Sequence, residues 1–435
     1  MNAIAIPIRW LARSYSRAFL VLFLLGFSLR VGTLSLIPRD LIPPNPKWET
    51  GAVAFSLFQT GEFADPYLIP TGPTAHMPPL QVGLFALLYK VVGYSYLGGL
   101  IRWLLVMAAH ATIFALLPWF AGKMGMSREM GTLGGLLGAL IPHWPYELES
   151  FSALALVLLL VAFLNRWREG GESEAAEEKE GSAIWGSLIL GLFAGVSFHV
   201  QPALLPVVLG CLAFELWWGT NHSRKGWTSL VVLGMMLACI PGGWRNYRVL
   251  GEAYFVRSNL GLELYVGNHE GAHGDIEISD ARASFQHPRT DLAEAEKVQA
   301  MGEAEYMQQK KGEALAWITS NPGRFLKLTA ARVSYFWGGP LHRFPTSPEY
   351  LLLTLLALLG AWRILPSLGP HQRAILLIPL FSYPLIYYVV AYMPRYGYPV
   401  RWILFLLAGA GVWRWIGGEV PGEKVGVSPA GRVAR

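Results

Sequence analysis

The sequence predicts an all-α polytopic membrane protein, and three observations carry that prediction. Only 15% of the 435 residues are charged and 53% are hydrophobic, where a soluble chain has about 25% charged residues. Apolar stretches of roughly 15–22 residues recur, the length a helix needs to cross a hydrocarbon core. Lys and Arg gather beside those stretches, so the net charge of +6 reads as membrane topology and not as a polyanion site; no nucleic acid is called for. The 17 Trp and 18 Tyr suit interfacial belts. Cys211 and Cys239, the only cysteines, both fall in apolar spans, which argues against a disulfide framework or a thiolate metal site.

In chain order, residues 1–17 place Arg9, Arg13 and Arg17 among Ile, Trp and Leu, a basic amphipathic segment for the cytoplasmic surface. The arginines precede the span 18–37, so that span leaves the cytoplasm. An outer loop, 38–96, follows. Within it 51–59 suits a short helix lying on the bilayer, and 79–92, apolar over about 14 residues, suits an interfacial helix better than a span. With that choice the spans alternate: 97–120 in, 131–141 out, 151–164 in, 184–199 out, 202–218 in, 227–240 out. The acidic, low-complexity linker 169–181 is a solvated inner loop. These elements make an N-terminal transmembrane module, 18–242. Residues 243–345 are the one long polar stretch, outside by alternation. Its core, 291–338, reads as a pair of helices on the outer face, broken at Asn321-Pro322-Gly323. Spans 350–365, 374–392 and 400–415 form a C-terminal module, 346–416, and 417–435 is a cytoplasmic tail. The sum is about ten spans with both termini inside.

The outer side holds the residues suited to chemistry. Glu49, just past the first span, is positioned to serve as general base on an incoming hydroxyl, or is a solvated loop carboxylate; Asp40 is its rival, and Lys47 is near enough in sequence to hold Glu49 ionised. His76 precedes Met77-Pro78-Pro79 and is either a site residue or a histidine bonded to a loop carbonyl. Glu149 opens an inward span, where the helix dipole favours a carboxylate in any case. Asp275, Glu277 and Asp280 form a solvated acidic turn, with cation binding the alternative. Arg245, Arg248, Arg395 and Arg401 lie outside, where the positive-inside rule does not explain them. Guanidinium fits phosphate oxygens, and anchoring to lipid headgroups is the alternative. No Gly-x-x-x-x-Gly-Lys-Ser/Thr, Gly-x-Gly-x-x-Gly or His-Glu-x-x-His motif occurs.

The order Glu49, Ala52–Phe58, Gly61-Glu62-Phe63 and Pro78-Pro79-Leu80 resembles the first external loop of GT-C-type membrane glycosyltransferases. The likeness is to the branch of the protein O-mannosyltransferases and the lipid A aminoarabinose transferase. Further on, Pro241-Gly242-Gly243-Trp244-Arg245-Asn246-Tyr247 is similar to a Pro-x-x-x-Arg-Asn-Tyr pattern of bacterial members. Arg257-Ser258-Asn259, Gly267-Asn268-His269 and Arg395-Tyr396-Gly397-Tyr398-Pro399 are similar to their Arg-Ser-Asn, Gly-Asn-Asn and Arg-Tyr-x-x-Pro motifs. His199-Val200-Gln201-Pro202 stands where many relatives have Thr-Arg-Pro, so Gln201 replaces an arginine that faces a lipid phosphate.

The resemblance implies a GT-C helical bundle that transfers a sugar from a polyprenyl-phosphate donor to a glycan, lipid or protein acceptor, with inversion, at the outer face of the cytoplasmic (inner) membrane. Glu49 would be the base. His76, Glu149, His199, Gln201, Arg245, Arg248, Asn268, His269, Arg395 and Arg401 would bind substrate. No cofactor or metal is required by the scheme, although metal use differs between branches. The competing readings are a lipid or solute transporter or flippase, which would carry internal repeats and mid-membrane charges, and a non-catalytic assembly protein, which the missing arginine at Gln201 keeps open.

Overall fold

The structure is a computed structural model that describes residues 5–33, 48–141, 146–169, 177–218, 222–343 and 346–416. Asp40 and Lys47, residues 142–145 and 170–176 and those from 417 on lie outside the described residues. Among those described the chain is helical, with two isolated β-bridges, Ala64 to Pro73 and Asp275 to Tyr392.

The basic segment forms α1 (Ala5–Ala12), followed by the first apolar helix, α2 (Tyr15–Thr33). Two short helices come next, α3 (Glu49–Gln59) and α4 (Pro79–Val92). Pro79 starts α4 because a first-turn proline has no helical hydrogen bond to forfeit. α5 (Tyr96–Ala115) and α6 (Leu117–Lys123) make one apolar stretch jointed at Leu116, beside Pro118. α7 (Arg128–Leu140), α8 (Glu147–Glu169), α9 (Glu177–Phe198), α10 (Leu205–Trp218) and α11 (His222–Leu250) complete the first half. α9 begins inside the acidic stretch expected to be a loop, where Glu-Glu-Lys-Glu are good helix formers. α11 passes through Pro241 to Leu250. At 29 residues it is about 43 Å long, so its last turns outrun a hydrocarbon core of about 30 Å.

The polar stretch folds as α12 (Leu260–Gly267), α13 (Ile276–Ala281), α14 (Leu292–Met301), α15 (Glu303–Ser320) and α16 (Pro322–Gly338). Its core is a trio of helices and not a pair. Gly302, at φ +86°, adds a turn that the sequence reading passed over, in a conformation glycine adopts without strain. Asn321 ends α15, as its proline neighbour suggests. α17 (Thr346–Ile364), α18 (Pro370–Ser382), α19 (Leu385–Val389) and α20 (Tyr398–Trp415) follow.

Among the described residues six stretches are long and apolar enough to cross a membrane: Tyr15–Thr33, Tyr96–Lys123, Glu147–Arg168, Gly226–Leu250, Pro348–Ser367 and Pro370–Val389. Pro79–Val92, Ala183–Phe198 and Pro202–Trp218 are shorter apolar helices. α2, α11 and α17 present exposed apolar faces, among them Leu20, Leu24, Leu233, Met236, Leu352 and Leu355. On a soluble protein such faces would aggregate; against lipid they are the expected surface.

α20 differs. It is buried along almost its whole length, from Tyr398 to Gly411, and packs against α17, α7 and α8. Its apolar residues run all round the helix, the pattern of a central helix. Close approach to α17 is possible because Gly360 faces the Leu407 carbonyl and Gly411 with no side chain of its own. The central helix thereby fixes the loop that precedes it, and that loop carries Arg395.

The two ends of the bundle differ in charge. One collects Arg13, Arg17, Lys123, Arg128 and Arg168; Arg128 donates to the Arg13 carbonyl (3.3 Å) and Arg168 to that of Lys123. The other end holds α3, the loop 60–78 and the α12–α16 region, stitched together by Leu68 N–H to Pro288 O (3.2 Å) and Ser258 N–H to Ala75 O (3.0 Å).

Candidate active site

Glu49 is the first residue of α3, so its carboxylate sits at a helix N-terminus. α3 packs on α4 through Val53, Ala54, Val82 and Phe85, which fixes where that terminus points. Two residues of the loop between α13 and α14 meet the carboxylate. Arg289 Nε is 3.5 Å and His287 Nε2 3.9 Å from Glu49 Oε1. Arg289 also lies over the Trp48 ring, 4.6 Å from its centroid. His287 Nδ1 accepts the Arg289 backbone N–H (3.1 Å), which leaves the ring proton on Nε2, facing Glu49.

His76 completes this cluster. It is buried, with Nδ1 3.0 Å from Tyr67 Oη, and the Tyr67 ring lies edge-on to both His76 and His287. Its carbonyl accepts from Arg257 Nε (2.7 Å). Burial pushes the His76 imidazole down to about 3 and lowers His287 too. Both rings are therefore neutral at physiological pH, and the full positive charge beside Glu49 is that of Arg289. For Glu49 itself burial acts upward, but the Nε2–H of His287, the Arg289 guanidinium and its own backbone N–H outweigh it, so the carboxyl lies below the ordinary carboxylate value. A base held ionised, with one edge still 19% exposed, can take a proton from a hydroxyl brought to it.

A second carboxylate–arginine pair lies at the same end. Glu149, in the first turn of α8, has Oε1 3.4 Å from Arg395 Nε. Here the Glu149 side chain is only 2% exposed and the Arg395 side chain 42%. Tyr396 stacks on Tyr387 at 4.4 Å, and Gln201 donates to Tyr387 Oη (3.2 Å). Arg257, part-buried, holds the His76 carbonyl on the side of the first pair.

The other expected site residues have partners within the protein. Arg245 donates to the carbonyls of Thr74 and Phe63 (2.8 Å for the latter) and to Asn246 Oδ1, so it clamps the loop 63–74. Arg248 is exposed over Trp244. His199 Nε2 meets the Ala238 carbonyl at 3.1 Å. Asn268 is buried and ties Leu264 to Val389, while Arg332 donates to its Oδ1 (3.2 Å). His269 Nδ1 accepts from Gly271 N–H. Arg401 is buried over the Tyr350 ring, 4.0 Å from its centroid, and donates to Pro394 O.

Asp40 lies outside the described residues. Of the acidic turn, Glu277 and Asp280 are exposed as expected, but Asp275 is fully buried and takes two bonds from Arg343 (2.7 and 2.6 Å) and one contact from His342 (2.9 Å). Among the described residues no group of three or more His, Cys, Asp or Glu is arranged to hold a metal ion.

His287, Arg289 and Tyr67 are the members that sequence reasoning missed. Gln286-His287-Pro288-Arg289 looks like any polar turn, and nothing in its local pattern announces a partner more than two hundred residues earlier.

Fold and site together define an all-α, polytopic membrane protein. Among solved structures it is similar to the archaeal oligosaccharyltransferase AglB from Archaeoglobus fulgidus, solved in complex with an inhibitory peptide and a dolichol-phosphate. The TM-score is 0.52 and the identity 14%, over 92% of this chain. The chain spans 50% of that protein's length, and the likeness concerns the fold alone. No protein-family model and no curated protein matches the chain.

Proposed function

We propose that this protein is an inverting glycosyltransferase that moves a hexosyl or pentosyl group from a polyprenyl-phosphate donor to an acceptor hydroxyl on the extracytoplasmic side, in the manner of the O-mannosyltransferase and aminoarabinose transferase branch. The observation that carries the reading is Glu49, ionised at a helix N-terminus with an accessible edge and basic partners. Glu49 takes the acceptor proton as that oxygen attacks the anomeric carbon. The bond from that carbon to the phosphate oxygen breaks, and its electrons leave on the prenyl phosphate. A single base opposite the leaving group gives inversion. The leaving group is anionic, so cations and not a general acid serve it. Arg395, whose side chain is partly exposed, and Arg257 are the candidates for that role. Reading the basic opposite end of the bundle as cytoplasmic supports a site on the outer side, where sugar nucleotides are absent and lipid-linked sugars are available. The dolichol-phosphate on AglB is a donor-side lipid of the same chemical kind.

The test is transfer from radiolabelled prenyl-phosphate-linked hexoses and pentoses by protein in nanodiscs. Glu49→Gln should lower transfer by about 10²–10⁴-fold while native mass spectrometry still shows bound prenyl phosphate. Full activity in that variant would remove Glu49 from the mechanism.

A further inference from the structure

The acidic face of α14 and α15 holds a residue with no surface role. Glu303, the first residue of α15, is 4% exposed and has no basic group within ion-pairing distance among the described contacts. It accepts three hydrogen bonds instead: from Thr74 Oγ1, from Ala75 N–H (2.8 Å) and from Ser258 Oγ (2.6 Å). All three groups lie in segments far away in the sequence. The polarity of the chain is fixed, because Thr74 Oγ1 also accepts the His76 backbone N–H (2.9 Å) and so directs its own proton to Glu303. Ser258 N–H in turn donates to the Ala75 carbonyl (3.0 Å). One carboxyl thus grips residues 74 and 75 from one side while Arg245 and Arg257 hold the carbonyls of 74 and 76 from the other.

We infer that Glu303 is a positioning residue: it holds the turn 74–76 so that His76 is kept on Tyr67, in the cluster that also holds His287 and Glu49. This deepens the glycosyltransferase reading, on which its catalytic meaning rests, but the positioning itself is a property of the resting protein. Three donors converging on one carboxyl favour its ionised form. Burial acts the other way and sets this carboxyl above its ordinary value, so the grip is made by a group that strongly needs its partners. A glutamine has the same shape, but its amide N–H would oppose one of the three donors. Valine at position 74 keeps the shape of threonine and removes both the bond to Glu303 and the acceptor for His76 N–H.

The experiment reads His76 directly, by nitrogen NMR of ¹⁵N-histidine-labelled full-length protein in nanodiscs, with His76→Asn identifying the signal. Glu49, Tyr67, Arg257, His287 and Arg289 face this ring in every variant. In the wild type His76 should stay neutral across pH 5–8, as its burial requires. In Thr74→Val and Glu303→Gln the turn loosens, water reaches the ring, and His76 should titrate inside that range with its tautomer no longer fixed by Tyr67. A folded Thr74→Val or Glu303→Gln protein with an unchanged His76 signal would overturn the inference. Thr74→Val decides if Glu303→Gln does not fold. No sugar transfer is needed for this readout, so an inactive wild type would count against the glycosyltransferase reading and leave the positioning result standing.

Discussion

The two carboxylate–arginine pairs at the loop end of the bundle are built in opposite senses. In the first, Glu49 keeps 19% of its side chain exposed and Arg289 21%, so a ligand can reach the acid. In the second, Glu149 is sealed at 2% and Arg395 reaches out at 42%, so a ligand can reach only the base. The same two residue types therefore offer different chemistry, set by which partner is desolvated. An accessible carboxylate suits proton abstraction, and an accessible guanidinium on a buried counter-charge suits an anion. The origin of the difference is local. Glu49 heads a short helix at the rim, whereas Glu149 heads a helix that enters the apolar bundle and packs beside α5 and α20.

Breaking the second pair should give the largest structural effect. Arg395→Ala leaves Glu149 buried without its cation, and loss of one partner from a buried pair costs about 3–5 kcal/mol. Because Arg395 is well exposed, screening reduces this to about 2 kcal/mol. Thermal unfolding should show it, together with weaker retention of prenyl phosphate. Glu149→Gln combined with Arg395→Ala should recover most of the stability and none of the lipid binding. Equal stability of the single and double variants would mean that the pair carries no coupling.

The first pair is sharpened by pH. The Glu49 carboxyl is held below its ordinary value, so it is ionised above that range and transfer falls only as pH drops through the depressed value. Its contribution to stability has the same sign: present above the unfolded carboxylate pKa and lost as pH falls through the folded one. Arg289→Ala removes the full charge that the described residues place beside it and should move the acid limb of the pH–rate profile upward by about one unit. His287→Gln should move it less, since that ring is already neutral. An acid limb that does not move in Arg289→Ala would detach Arg289 from Glu49.

Much of the scaffold was legible because it rests on local rules. Pro79 marks the start of α4, Asn321-Pro322 the end of α15, and unbroken apolar runs the long helices. What could not be read depends on distant partners. Glu294 and Glu303 look like the solvated acidic face of a helix, yet both are buried, one against Lys310 (3.0 Å) and Tyr306 (2.6 Å), the other on the turn 74–75. Arg245 looks like a phosphate ligand in sequence, but its fork is occupied by loop carbonyls. Composition also conceals that α20 is the centre of the bundle, because an all-apolar helix reads alike whether it faces lipid or protein.

The smallest effect separates the arginines that occur together in the sequence. Arg245 and Arg248 lie three residues apart on the projecting end of α11, which turns them to neighbouring but different faces. Arg245 faces the loop 63–74, whereas Arg248 is exposed beside Trp244 and Tyr247, themselves 61% and 54% exposed. A cation over an exposed indole at the end of an over-long apolar helix suits a headgroup interface. Arg248→Ala should therefore change stability by no more than about 0.5 kcal/mol and leave transfer within about twofold, whereas Arg245→Ala, which removes the side-chain donor to the Thr74 carbonyl and one of two donors to that of Phe63, should cost about 1–3 kcal/mol. Thermal unfolding and transfer measured side by side on the two variants check the ordering. A larger loss of transfer in Arg248→Ala would return that residue to the donor phosphate and shift the anion site from Arg395 towards α11.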